Sequence, residues 1–565
     1  MSISTTRPSS TQHGGGTTPP SGPRVAGPYV SGPARMAPAP RIPLWAAALF
    51  VAALLCAGLL LERTSAVRQY RFVSLDMATK KDALGSPRKR QLLAEMGLPD
   101  VHAVAPENTA HTAALLEQAR RDADPAMVAS GWPVFAVRTD EASLNDPETG
   151  INVNHKERGR EWERPAAVVY YRDGQERLAT GVGLRLHGGG SRDLGISYRV
   201  YFRNAYGAPA QPADVFFPGT EGTLKRLVLR KEKTTSPGFI NMLGLDIMGM
   251  LGAETPRFVP AVFSVNGKDM GLSLVSEHIA DAHWKRRLGH DNFLLYSIRK
   301  GNDRAEFAAL RELYLWIRLM PAPLTMPQAE RRMDLRSMCA IIFGAVYMGE
   351  NDWDQGALLL DKTQPDPRWT NIAWDLDQAF QHLSPTAPLE RRPGWKFAMD
   401  EAKAVRMRLF LRLWKEAPEF RTWFLRYVVD ALNHTLRPSE RERMIAPYVA
   451  MERQLGREMF DQDMAAAMLA ARPVQVMEET VRDLGAPAWS TVHVSSSCPV
   501  RIDDMADYTE YTGRYFMGQT VRLHATPQDG KRFSHWEANG VRHSGPDMEL
   551  TVERATAIRA VFTDI

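Results

Sequence analysis

Apolar periodicity changes character once along this chain, and that change limits the folds open to it. Between Trp132 and His278 the apolar residues alternate in short runs, WPVFAVRT, AAVVYY, VGLRLHG and SYRVYFR, separated by turn-rich stretches such as ERGREWERP and RDGQ. LKRLVLR then leads into a helical pattern over Phe239–Leu251. The segment PAVFSVNGKDMGLSLVSEHI predicts two strands joined at Asn266-Gly267, because both central positions of a type I′ turn take φ > 0. From Glu306 the spacing turns helical, over Glu306–Leu319, Met326–Met348, Ala402–Trp414, Glu419–Leu436 and Ser439–Asp461. A β-rich part followed by a helix-rich part predicts an α+β fold. From Ser490 the pattern is β again (TVHVSSS, QTVRLHAT, IRAVF), which predicts a separate small all-β module.

Upstream of the alternating region the chain changes composition twice. Residues 1–41 are rich in Pro, Gly, Ser and Thr without one acidic residue, a disordered leader. Leu44–Leu61 follows, uncharged throughout and about 27 Å long as a helix. Residues 42–62 are therefore expected to be an uncleaved transmembrane helix, since no A-x-A site adjoins the run and the polar leader is long. The leader carries Arg7, Arg24, Arg35 and Arg41 against Arg63, Arg68 and Arg71 beyond the run. The residues closest to the run are nearly balanced, and the long all-basic leader points to an inside N-terminus, with the soluble part outside the cytoplasm. Residues 63–130, with amphipathic patterns at Lys89–Met96 and Thr112–Arg121, are expected to form a stalk or docking element.

A net charge of +5, with basic and acidic residues interleaved, implies no nucleic-acid partner. Cys56, Cys339 and Cys498 show no C-x-x-C or zinc spacing and are expected as buried thiols. No G-x-S-x-G, H-E-x-x-H or G-K-[ST] motif supports a hydrolase or a P-loop enzyme.

The densest carboxylate constellation is Asn351-Asp352-Trp353-Asp354-Gln355 with Trp374-Asp375-Leu376-Asp377. The strand-like runs ALLLD and NIAW lie between them, joined by a turn at Pro365-Asp366-Pro367, which would bring the two clusters together. Converging carboxylates repel unless a cation neutralises them, and clustered oxygens select hard ions such as Mg²⁺.

Here the chain resembles the CotH family of atypical kinases, in NDWDQGALLLDKTQPDPRWTNIAWDLDQAF and, in order, in RLHGGGSRDLGISYRVYFRNAYG, VPAVFSVNGKDMGLSLVSEHI and FLRLWKEAPEFRTWFLRYVVDAL. The resemblance implies a kinase-like fold with a β-rich N-lobe and a helical C-lobe, binding ATP with Mg²⁺ or Mn²⁺ and phosphorylating protein hydroxyls. It implies Asp375 and Asp377 as metal ligands, with Gln355 as a substitute ligand, and Asp354 as catalytic base with Asp352 second. Gly188, Gly189, Gly190 and Ser191 would offer backbone N–H groups to phosphates. Glu277, closing the hairpin strand, would hydrogen-bond an adenine edge, pair with a cation or face solvent. Two departures stand out. The family's lysines before the S-Y/F-R-L strand are replaced by Gly195-Ile196, so a phosphate-binding cation would come from Arg192, Arg199 or another basic residue. The Asn that follows the family's catalytic Asp is also missing, leaving Gln355, Asn351 or Asp361 to substitute. His187 and His278 are read as structural or solvent-facing.

The C-terminal run QTVRLHATPQDGKRFSHWEANG resembles divergent repeat domains of bacterial surface proteins, with Phe533 and Trp536 as core anchors. The organisation expected is thus a leader (1–41), a transmembrane helix (42–62), a stalk (63–130), a CotH-like kinase domain (131–470), a linker (471–489) and a β module (490–565). The function expected is a membrane-anchored kinase acting on Ser or Thr of an envelope or coat protein. The alternative is a catalytically weak pseudokinase scaffold for surface or coat assembly.

Overall fold

The computed structural model describes residues 106–565, apart from 190–191, 193–196, 232–238, 298–303, 351–355, 382, 396–403, 456–461 and 528–529. The expected leader, the transmembrane helix and the Lys89–Met96 pattern lie outside the described residues. Among the described residues no helix is long and apolar enough to cross a membrane.

The alternating segments close on themselves. Strands β1 (Val134–Thr139), β2 (Arg164–Arg172), β3 (Gln175–His187) and β4 (Ser197–Tyr201) are followed by the two-residue pair β5 (Gln211–Pro212) and β6 (Thr223–Leu224). β7 (Arg226–Lys231), β8 (Phe258–Val265) and β9 (Lys268–Glu277) complete the set. They form a closed barrel in the order β1-β2-β3-β4-β7-β9-β8, with β1 and β8 parallel at the seam. Closure leaves no free edge. The hairpin turns sit where the sequence places them, Asp173-Gly174 at φ 55° and 71° and Asn266-Gly267 at φ 50° and 74°. Asn266 also accepts the Thr139 N–H on Oδ1 at 2.9 Å, tying this turn to the end of β1. The interior is apolar, with Phe135 stacked on Tyr170 at 4.3 Å between centroids and Phe216 5.5 Å from Tyr170.

Helix α1 (Pro106–Asp122) lies on the outside of the barrel, where Ala119 packs with Ala136 and Val169. Arg120 adds a two-pronged pair to Glu176 at 2.9 and 3.0 Å. The described part of the expected stalk is thus a docked element. The short helices α2 (Pro125–Ala129) and α3 (Glu141–Asn145) flank β1.

The helical lobe is built around one buried rod. Helix α4 (Ile240–Leu251) follows β7, α5 (Asp281–Leu288) follows β9, and β10 (Phe293–Ser297), α6 (Arg304–Leu319) and α7 (Met326–Glu330) lead to α8 (Leu335–Met348). Every residue of α8 except Arg336 is buried, as expected of a helix apolar all round. The single helix expected over Met326–Met348 is broken because Asp334 caps α8, its Oδ1 accepting the N–H of Arg336 at 3.1 Å and of Ser337 at 3.3 Å. The Asp334 N–H meanwhile donates to Trp369 O at 2.8 Å. Strands β11 (Ala357–Asp361) and β12 (Trp369–Ile372) form a three-stranded sheet with β10. Helices α9 (Val405–Glu416), α10 (Pro418–Asp430), α11 (Pro438–Leu455) and α12 (Gln462–Leu484) complete the lobe, with a π-helical turn at Ala431–Thr435.

One expectation is corrected here. Residues 471–489, expected to be a linker, are helix as far as Leu484. Arg472 is fully buried there, donating to Tyr347 O and Val346 O at 2.8 Å and pairing with Glu479 at 2.9 Å. A buried charge must be paired and hydrogen-bonded, and each of these acceptors comes from the lobe itself.

The C-terminal strands are β13 (Trp489–Ile502), β14 (Ala506–Phe516), β15 (Thr520–Ala525), β16 (Lys531–Ala538), β17 (Val541–His543), β18 (Asp547–Thr551) and β19 (Thr556–Asp564). Trp536 is fully buried, and the partly buried Phe533 ring lies 5.2 Å from it, so both anchor the core. The module is not detached. Its Val492, Val494 and Tyr511 belong to the same contiguous core as α8 and α10. The π-helical turn presents Asn433, which exchanges hydrogen bonds with the Arg514 backbone at 2.9 and 3.0 Å.

Candidate active site

β11 and β12 are antiparallel, with Ala357 opposite Ile372. Gly356, just before β11, and Ala373, just after β12, therefore lie at the same end of one ladder. Gly356 makes the approach close: it sits at φ 108°, and a Cβ there would come within 2.2 Å of Ile372 O. Asp352, Asp354 and Gln355, together with Asn351, lie outside the described residues, as do Gly190 and Ser191.

The second cluster is held by its backbone. Ala373 N–H donates to Glu254 O at 2.7 Å, and Leu376 N–H donates to the buried Asn241 Oδ1 on α4 at 2.9 Å. Between these anchors Asp375 takes φ 63°, the left-handed region that Asp tolerates better than most residues. The bend brings Asp375 and Asp377 to one guanidinium, that of Arg230 on β7. Arg230 Nη1 lies 2.6 Å from Asp375 Oδ1, and Nη2 lies 2.7 Å from Asp377 Oδ2. Two carboxylates converging on one cation have the oxygen donor chemistry that a hard divalent ion requires, so these residues fit Mg²⁺ or Mn²⁺. Asp377 is the more enclosed of the two, its side chain 11% exposed against 31% for Asp375.

The other candidates separate. Gly188 sits at φ 106°, and a side chain at Gly189 would meet nothing within 4 Å, so the described start of the Gly-rich loop is open. Arg192 is not available as a phosphate cation. Its guanidinium donates to Leu186 O, His155 O and Glu157 O at 2.9 Å and to Gly188 O at 3.0 Å, stapling the loop from below. Arg199 donates to His187 Nδ1 at 2.9 Å on the outer face of the barrel. Asp361 is a turn residue at the far end of β11, holding Thr363 N at 3.0 Å and Gln364 Nε2 at 2.8 Å.

Of the three readings open for Glu277, solvent exposure is wrong and ion pairing is right. Its side chain is fully enclosed, 2.5 Å from Arg286 Nη2 and 3.4 Å from His283 Nδ1, and it accepts the Arg257 N–H at 3.1 Å. Burial alone would raise this carboxyl, but His283, the Arg257 N–H and Arg286 outweigh it and hold the group below its usual range. Both oxygens hold partners within the protein.

Arg230 was not singled out from the sequence. The available signal was an arginine on the outward register of LKRLVLR, whose leucines 227 and 229 point into the barrel.

A family model described as CotH kinase protein matches residues 184–482. The chain belongs to the CotH kinase family. The CotH match runs from Leu184 in β3 to Arg482 in α12, so it contains Arg230, Asp375 and the helical lobe but leaves β1 and β2 before it. A second model, described as divergent InlB B-repeat domain, matches residues 506–565. β13 lies in neither match, although it pairs with β14, β15 and β19. No curated protein matches the chain.

Proposed function

We propose that this CotH-family chain transfers the γ-phosphoryl group of ATP, with Mg²⁺ or Mn²⁺, to Ser or Thr of an envelope or coat protein. The observation that carries this reading is the convergence of Asp375 and Asp377 on a single cationic position. Asp375 and Asp377 would hold the divalent ion, which would supply neutralisation of phosphate charge. The chain supplies position: Asn241 fixes the Leu376 backbone between the two aspartates, and the open Gly188-Gly189 turn offers backbone N–H groups near the arginine-bearing strands. Asp354, with Asp352 second, is assigned as the base that orients the acceptor hydroxyl. Residues 42–62 are assigned as the membrane anchor, with the folded part outside the cytoplasm. Digestion of residues 106–565 by protease added to intact cells supports that placement, and protection until the cells are permeabilised contradicts it.

A second reading, a catalytically weak scaffold, draws support from the same clamp. Arg230 pairs with both aspartates, so the chain supplies a cationic partner of its own at that position. Titration of the full chain with ATP and Mn²⁺, followed by thermal shift, separates the two. Metal-dependent stabilisation that Asp375→Ala abolishes favours the enzyme, and its absence under several metals favours the scaffold.

A further inference from the structure

The outward face of β3, β4 and β7 carries more positive charge than the described residues neutralise. Leu184 and Leu186, Tyr198 and Val200, and Leu227 and Leu229 point into the barrel core. Strand alternation therefore puts Arg185, Arg199, Tyr201 and Arg226 on the outside. The register sets Arg185 opposite Arg199, and Tyr201 opposite Arg226. Three guanidinium groups surround the Tyr201 ring, Arg203 at 4.8 Å, Arg185 at 5.0 Å and Arg226 at 5.9 Å from its centroid. One carboxylate serves the group: Glu163 binds Arg203 at 2.6 and 2.8 Å and stands 3.9 Å from Arg185. Arg226 has no carboxylate partner among the described residues, its nearest polar contact being His278 Nδ1 at 3.5 Å. Burial, with repulsion from Arg199, Arg203 and Arg185 and against the opposing influence of Tyr201, makes Arg226 give up its proton more readily than an ordinary arginine.

Half-buried like charges repel, and stacking on one tyrosine offsets only part of that cost. An oxyanion would remove it. Arginine suits the task, because its planar fork matches phosphate oxygens and it is weakly hydrated. Arg230 stands on the same face of β7, four residues and about 13 Å further along, so the stripe leads to the aspartate pair.

We propose that Arg185 and Arg226 beside the Tyr201 ring, with Arg199 opposite Arg185, form a binding site for phosphoryl oxyanions. Two sources share that chemistry, the polyphosphate of a nucleotide and a phosphoryl group on a protein chain. The site rests on the phosphotransfer reading only for the choice between them, because binding is measured without metal or transfer.

The test is calorimetric titration of the purified full chain in EDTA with inorganic tripolyphosphate and, separately, with a phosphoserine peptide. The wild type is compared with Arg226→Gln and Arg185→Gln, the latter guarding against loss of fold in the former. Binding of at least one probe is expected, weakened about tenfold or more by each substitution, as loss of a charge-assisted contact implies. Tighter binding of tripolyphosphate assigns the nucleotide source, and tighter binding of the peptide assigns the protein source. No binding of either probe, or equal binding by the wild type and both variants, overturns the proposal. Metal-dependent ATP binding is measured separately: its absence in the wild type sinks the phosphotransfer reading, while this site stands or falls on the metal-free titrations.

Discussion

Two carboxylates separated by one residue repel each other unless a cation lies between them, and Arg230 supplies that cation from a different strand. Arg230→Ala is therefore expected to destabilise the metal-free protein by about 1–3 kcal/mol, in the range for a partly enclosed ion pair that loses one member. Urea denaturation in EDTA measures the loss. Added Mg²⁺ should restore part of it in the variant, because a divalent ion takes over the neutralising role. Asp246 gives a pH signature of its own. It is largely buried on α4, accepts a hydrogen bond from the Tyr448 hydroxyl at 2.6 Å, and burial raises its pKa from 3.8 to about 6. The folded protein thus holds this proton more tightly than the unfolded chain does. The group's contribution to stability is complete below pH 3.8 and is lost as the pH rises through about 6. Asp246→Asn never bears the buried charge. It should be more stable than wild type by about 3 kcal/mol at pH 8, and the gain should vanish near pH 3.5. Thermal melts across that range decide it, and a pH-independent difference would refute the assignment.

Elements whose signals are local were legible in the sequence. Asp173-Gly174 and Asn266-Gly267 dictate their own turns through positive φ, and the barrel strands alternate because one face is buried. Elements whose reason is tertiary were not legible. Asp334 divides an otherwise continuous helical pattern because β12 needs its backbone. The second half of α12 reads as linker because its informative residues, Arg472, Glu479 and Thr480, are polar, and only the lobe around them shows that they are buried. Arg472 caps the last turn of α8 through the carbonyls of Val346 and Tyr347, where helix C-termini leave acceptors unpaired. That turn leads directly into the acidic stretch at 351–355. Arg472→Ala should cost about 3–5 kcal/mol, because Glu479 is left buried and unpaired. Chemical denaturation measures this, and Arg472→Lys should recover only part of it, since one ammonium cannot serve the same set of acceptors.

At the scale of the molecule, the helical part of the CotH match and the repeat-domain match share one continuous core. Asp503 is the hinge of that continuity. Its carboxylate, buried in the β module, lies 3.1 Å from Arg426, 3.4 Å from His434 and 2.5 Å from Tyr515, and it accepts the Arg522 N–H at 3.0 Å. The sequence showed the module through its alternation but not its attachment, because residues far apart in the chain make that contact. Asp503→Ala should lower the melting temperature of the helical lobe together with the β module in a single transition, and two separated transitions would show that the module folds alone. The aspartate pair was read from its spacing and family likeness, whereas its counter-cation comes from a strand nearly 150 residues away and became visible only once the barrel closed.

The proposed role of Asp375 and Asp377 in metal-dependent phosphoryl transfer is tested by incubating the full chain with γ-labelled ATP, Mg²⁺ or Mn²⁺ and a Ser/Thr-rich protein, beside Asp375→Ala and Asp377→Ala. Label should reach the acceptor only with the metal and should disappear in Asp375→Ala. Transfer that persists in both variants, or that proceeds in EDTA, would contradict that role.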